Sequence, residues 1–76
     1  MTTKRKGGDM LTLKEARESR GIKQIAVANA LNITRQTYAK YEDDPGVMSV
    51  SQAKNACDFI GVDISDIFFG SEGKYN

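Results

Sequence analysis

Histidine is absent from the 76 residues and cysteine occurs once, at Cys57. A lone thiol rules out a disulfide framework, a zinc site needs several Cys or His ligands, and no imidazole is present to activate a nucleophile. Cys57 falls on the apolar side of a helical pattern and reads as a small hydrophobe. No apolar run approaches the roughly 20 residues needed to cross a bilayer, and the polar, basic first residues carry no signal-peptide core. The expectation is a cytoplasmic protein without cofactor, metal, small-molecule ligand or catalytic constellation. Net charge is also scarce, at only +1.

That small charge is unevenly divided. Residues 1–24 hold Lys4, Arg5, Lys6, Lys14, Arg17, Arg20 and Lys23 against three acids, a balance of +4, whereas the remainder holds four cations against seven acids, a balance of −3. Such asymmetry orients a protein on a polyanion, although a solvated face produces the same pattern. The length allows one small domain, whose core is marginal unless packing is good or a partner adds surface.

The most informative stretch is Gln24–Glu42, QIAVANALNITRQTYAKYE. Val27, Ala28 and Leu31 form one apolar stripe of a 3.6-residue period, and Ile33, Tyr38 and Tyr41 continue that core after a break. Asn32 suits the break because its short side chain tolerates positive φ, and Thr34 can restart the helix as an N-cap. Arg35, Gln36, Thr37 and Lys40 then point outward, the first three in one N-terminal turn. A turn of that shape can enter a DNA major groove end-on.

Gln24, Ala28, Leu31, Ile33, Thr34, Arg35, Gln36, Thr37, Lys40 and Glu42 fall without a gap on the motif of the lambda-repressor-like, Cro/CI type helix-turn-helix family, which this chain resembles. Asn32 stands where that family usually has Gly, Tyr38 where it has Ile, and Tyr41 where it has Trp or Leu. Around the motif, Thr12-Leu-Lys-Glu15 and Ser49-Val-Ser-Gln52 read as capping boxes, with Gly21 and Gly61 as helix stops. Val50, Ala53, Ala56, Cys57 and Ile60 are expected to form the inner face of the fourth helix. Asp63 is expected to open a fifth, with Asp66 in its first turn, Ile64, Ile67 and Phe68 inward and Gly70 as terminator. The expected fold is therefore all-α, a five-helix domain over residues 10–70, preceded by a basic arm over 1–9 and followed by a short tail over 71–76.

The resemblance implies a sequence-specific regulator of transcription that binds double-stranded DNA, with the proportions of Cro or of a truncated Cro/CI-like repressor of phage or mobile-element type. Arg35, Gln36 and Lys40 are the expected base readers: arginine and lysine match guanine acceptors, and glutamine pairs bidentately with adenine. Gln24, Thr34, Thr37 and Lys23 are expected at the DNA backbone, where Gln24 would clamp a phosphate and buttress the readers. Lys4, Arg5 and Lys6 either follow the duplex or serve as a leader that aids solubility. By position, Arg17 of the first helix and Glu42 match a structural salt bridge found in many relatives.

Two departures stand out. The segment Glu42-Asp-Asp-Pro-Gly-Val-Met48 carries Asp43 and Asp44 where relatives often place phosphate-binding cations, and Ile25, Ala26 and Ala30 are apolar or small where relatives are usually charged. One reading helix finds too few base pairs, so a homodimer on a palindromic operator is expected, with half-sites ~34 Å apart. Nothing after Gly70 offers a dimerisation domain, so Val62, Ile64 and Phe69 are the candidate interface, with Phe69 alternatively packed at the rim. Two other readings stay open: the antitoxin of a toxin–antitoxin pair, or a helical interaction module that no longer binds DNA. No enzyme is expected.

Overall fold

A computed structural model describes residues 11–69. Thr12 begins the folded order: its hydroxyl accepts from the Glu15 amide at 3.0 Å while the Glu15 carboxylate accepts from the Thr12 amide at 2.9 Å. This reciprocal cap satisfies two of the donors that a helix start leaves open. It launches α1 (Leu13–Ser19), followed by α2 (Gln24–Leu31), α3 (Arg35–Asp43) and α4 (Val50–Ile60). Thr34 and Ser49 cap α3 and α4, accepting from Thr37 and Gln52 amides at 3.1 and 3.0 Å.

Three helices end by the same device. Gly21, Asn32 and Gly61 adopt positive φ (69°, 63° and 93°), and the next residue's amide returns to the carbonyl five positions back: Ile22 to Arg17, Ile33 to Ala28, Val62 to Cys57. In each case the residue after the turn is apolar and packs on the core, which is the hydrophobic contact that accompanies this type of stop. α3 alone ends otherwise. It runs through Asp44 into a single 3₁₀ turn at Pro45–Val47.

The core joins Leu13 and Ala16 of α1, Val27, Ala28 and Leu31 of α2, Tyr38 of α3, and Ala56, Cys57 and Ile60 of α4. α2 lies at its centre, packed on both α3 and α4. Burial pushes the Cys57 thiol up to about 11, as do the nearby Asp58 and Asp63 charges, so it remains an uncharged packing group.

The fifth helix is not formed. Among the described residues there are four α-helices, and the segment after Gly61 makes one 3₁₀ turn, Ile64–Asp66, capped by the Asp63 carboxylate on the Ser65 amide and hydroxyl (3.0 Å each). It then extends into β2 (Ile67–Phe68), which pairs in parallel with β1 (Leu11–Thr12), Leu11 against Ile67 and Thr12 against Phe68. The fold is thus mostly helical rather than all-α. β-branched and aromatic side chains favour the extended pairing, and Ile67, only 3% exposed, buries a side chain worth about 1.5–3 kcal/mol. Ile64, expected inward, opens the 3₁₀ turn at 37% exposure, and Phe68 is half-buried. Val50, placed on the inner face by periodicity, is 80% exposed as the first residue of α4. The arm over 1–9, the Gly70 terminator and the tail over 71–76 lie outside the described residues.

Candidate nucleic-acid interface

α2 and α3 are joined through Asn32, Ile33 and Thr34, and the left-handed Asn32 (φ 63°, ψ 42°) makes the bend. The Thr34 hydroxyl both accepts from the Thr37 amide and donates to the Thr37 hydroxyl at 2.9 Å. Its hydrogen-bonding capacity therefore goes mainly to the helix start, while Thr37 keeps a hydroxyl proton to donate. Tyr38, one turn along, is fully buried and anchors α3. The residues around it on the other face, Arg35, Gln36 and Lys40, are exposed. Lys23, preceding α2, is exposed and makes no cap bond.

Behind this surface lies an ion pair. Arg17 Nε and Nη2 donate to the two Glu42 oxygens at 2.6 and 3.1 Å, and Nη1 donates to the Ile22 carbonyl at 2.7 Å. The side chains are 9% and 3% exposed. The pair ties α1 to the end of α3, and a buried bidentate pair of this kind is far costlier to halve than to replace whole. Its hydrogen bond with Glu42 raises the Arg17 pKa still further above its ordinary value. Burial pushes the Glu42 carboxyl up, but the bond from Arg17, the nearby Tyr38 hydroxyl and the Gln24 amide together hold it below the usual range. Burial first, then the Glu42 carboxylate, raises the Tyr38 phenol. The buried Tyr38 hydroxyl nonetheless completes no hydrogen bond among the described residues.

The half-buried Gln24 extends the pair to the surface. Its Nε2 donates to Glu42 Oε1 at 2.9 Å and its Oε1 accepts from Arg35 Nη1 at 3.0 Å. The structure thus brings Arg17, Glu42, Gln24 and Arg35 into one connected set, with Gln36 and Lys40 exposed beside it. The resemblance placed Gln24 against phosphate and behind the readers; its bond with Arg35 is a contact of that second kind, whereas its bond with Glu42 was not expected. No local signal reveals the Glu42 bond, because the partner is 18 positions away.

The electrostatics are one-sided. Arg35 and Lys40 stand on the outer face of α3, Lys23 precedes α2, and Asp43 and Asp44 close the far end of α3. Ile25 is 45% exposed, and Ala30 is exposed beyond it on α2. Lys4, Arg5 and Lys6 fall outside the described residues. Among the described residues, no helix is long and apolar enough to cross a membrane.

A family model described as helix-turn-helix matches residues 13–67, which include all four helices and the turn. No curated protein and no solved structure matches the chain.

Proposed function

Because the chain belongs to the lambda-repressor-like helix-turn-helix family, whose members are DNA-binding transcription regulators, we propose that it is a sequence-specific, Cro/CI-like repressor that reads operator half-sites with the first turn of α3. The observation that carries this reading is the arrangement of Arg35, Gln36 and Lys40. All three are exposed on one short helix whose opposite side is fixed by buried Tyr38 and the Arg17–Glu42 pair. Donors on a rigid element can meet base edges without being ordered first, and each good bidentate pair discriminates by ~1–3 kcal/mol. Gln36 pairs with adenine, Arg35 and Lys40 with guanine; Thr37 and Lys23 meet the backbone, and Lys4, Arg5 and Lys6 add phosphate contacts.

The acidic close of α3 keeps that end off the duplex, so a single domain binds weakly. We infer a homodimer on a palindromic site. Ile64 and Phe69 line an open apolar groove with Pro45, Met48 and Val50, and this groove, together with the half-buried Val62, supplies the symmetric contact. Such a protein acts where the genome is, in the bacterial cytoplasm or on phage-encoded operators.

Selecting bound duplexes from a random pool tests the reading, and the expected result is a palindrome with half-sites about one helical turn, ~34 Å, apart. Gln36→Ala then loses discrimination at one or two positions, whereas equal loss on every sequence would rule out direct reading by Gln36. A chain that selects no sequence but captures a protein encoded beside it would be an antitoxin or an interaction module instead.

A further inference from the structure

The open groove beyond the end of α3 is apolar within and acidic at its edges. Pro45, Met48, Val50, Ala53, Ile64 and Phe69 line it. Asp43 and Asp44 lead straight into Pro45, and Asp63 and Asp66 flank Ile64, all four of them exposed. From Asp43 to Phe69 the chain holds five acids against one cation, Lys54, whose ammonium lies 3.7 Å from the Asp58 carboxylate. Such a surface suits lysine and arginine, whose aliphatic stems cover apolar area while their charged heads reach the rim. It suits a copy of itself less well. A symmetric contact sets these carboxylates against the same carboxylates, which weakens pairing in solution until DNA holds two subunits together.

A segment of the required chemistry lies outside the described residues. Residues 1–10 hold Lys4, Arg5 and Lys6 with Met1 and Met10, against one acid, Asp9. β1 and β2 run parallel with Leu11 opposite Ile67, so residues 1–10 join the fold at the end where the Ile64–Asp66 turn enters β2. Lys6 is five positions before Leu11 and can reach ~17 Å from it, whereas Ile64, three positions before Ile67, lies within ~10 Å of that strand. The outer face of α3 offers the opposite chemistry. Its exposed Arg35 and Lys40 repel the three cations.

We propose that in the chain without DNA residues 1–10 lie along this groove and hold it closed to a second copy. This rests on the regulator reading above and gives its dimer an order of events. α3 meets a half-site first, with the groove still covered, because the acidic end of the helix stays off the duplex. A palindrome then brings two grooves together, the second copy displaces residues 1–10, and Lys4, Arg5 and Lys6 pass to phosphates. Pairing and the basic phosphate contacts therefore appear in the same step.

The test uses the full chain. Gly7→Cys takes a nitroxide label, whereas Cys57, 1% exposed and with its thiol pushed up to about 11, stays unlabelled at neutral pH. Circular dichroism checks folding. Without DNA, the label is expected to broaden the NMR signals of the Gly46, Val47, Val50, Ala53 and Ile64 amides and to spare the outer face of α3. A single half-site duplex should leave those signals broadened, and the selected palindrome should sharpen them. Neutralising either side, by Lys4→Ser/Arg5→Ser/Lys6→Ser or by Asp43→Ser/Asp66→Ser, should sharpen them without DNA. A groove open about one-tenth of the time pairs about tenfold more weakly, so sedimentation of the Lys4→Ser/Arg5→Ser/Lys6→Ser chain should show dimers at about tenfold lower concentration than the wild type.

Four results would overturn the proposal: no broadening at the groove, broadening of an unlabelled ¹⁵N chain by labelled chains mixed with it, groove signals still broadened in the dimer on the palindrome, or pairing no tighter in the neutralised chain. A chain that selects no duplex yet shows the groove signals would end the regulator reading and sustain the contact.

Discussion

The junction of α1, α2 and α3 and the edge formed by the Pro45–Val47 turn, the start of α4 and the Ile64–Asp66 turn invert the usual placement of side chains in opposite senses. At the junction, charged groups are inside: Arg17 and Glu42 side chains are 9% and 3% exposed. At the edge, apolar groups are outside: Val50 is 80% exposed, Val47 57% and Ile64 37%. Burying two ions costs several kcal/mol in desolvation, which only good geometry offsets, so the net stabilisation from the pair is small. What the junction gains is direction, because every bond from Arg17 to Arg35 has one donor, one acceptor and one angle. The edge has area without direction. An apolar surface accepts any partner of suitable shape, whereas a polarised series of side chains presents one donor at one place.

The largest effect that would break this contrast comes from halving the ion pair. Glu42→Leu is expected to cost about 3–5 kcal/mol by urea unfolding, and pairing it with Arg17→Met should recover most of that loss. Strictly additive losses would show that the two side chains are not coupled. Acid acts on the same bond more gently. The folded Glu42 carboxyl titrates below its ordinary value of 4.5, so its contribution is complete above that value and is lost as pH falls below it toward the folded pKa. Stability measured from pH 6 to pH 2 should therefore drop less steeply in Glu42→Gln than in the wild type.

Tyr38→Phe sharpens the comparison from the other side. The buried hydroxyl completes no hydrogen bond among the described residues, so removing it should leave stability unchanged or raise it by about 1 kcal/mol, and thermal unfolding will show a loss instead if a buried water satisfies it. The smallest effect is expected at the edge. Val50→Ser should shift unfolding by no more than about 0.5 kcal/mol. Sedimentation of that variant on palindromic DNA should show weaker pairing of subunits, and unaltered pairing would move the dimer contact elsewhere.

The local grammar of the chain was readable because each rule acts within about one helical turn. Thr12 with Glu15, Thr34 and Ser49 open helices through side-chain caps, and Asn32 and Gly61 close them at positive φ. Among the described residues the Ser49 box is completed only on the serine side, by the Gln52 amide. Periodicity placed Val50 and Ile64 inward because it records spacing, not where a neighbouring element stops. The fifth helix failed for a related reason. Its residues could pair with Leu11 and Thr12 from the other end of the chain, and no window of local sequence contains that competitor. At the interface, the outward set Arg35, Gln36 and Lys40 follows from helical spacing alone. Gln24's bonds do not, since they depend on how α2 and α3 cross and on the buried carboxylate between them.

The central claim is that the first turn of α3, rather than the apolar edge, meets DNA. Titrating the ¹⁵N-labelled chain with the selected duplex and following each backbone and side-chain amide by NMR tests it most directly. The account predicts the largest shifts at residues 23–24 and 34–40, with the Gln24 and Gln36 side-chain amides among them. Little change is expected at Val47–Val50 and Ile64 in the regime where one domain binds one half-site. Shifts concentrated at that edge, with the first turn of α3 unmoved, would contradict it.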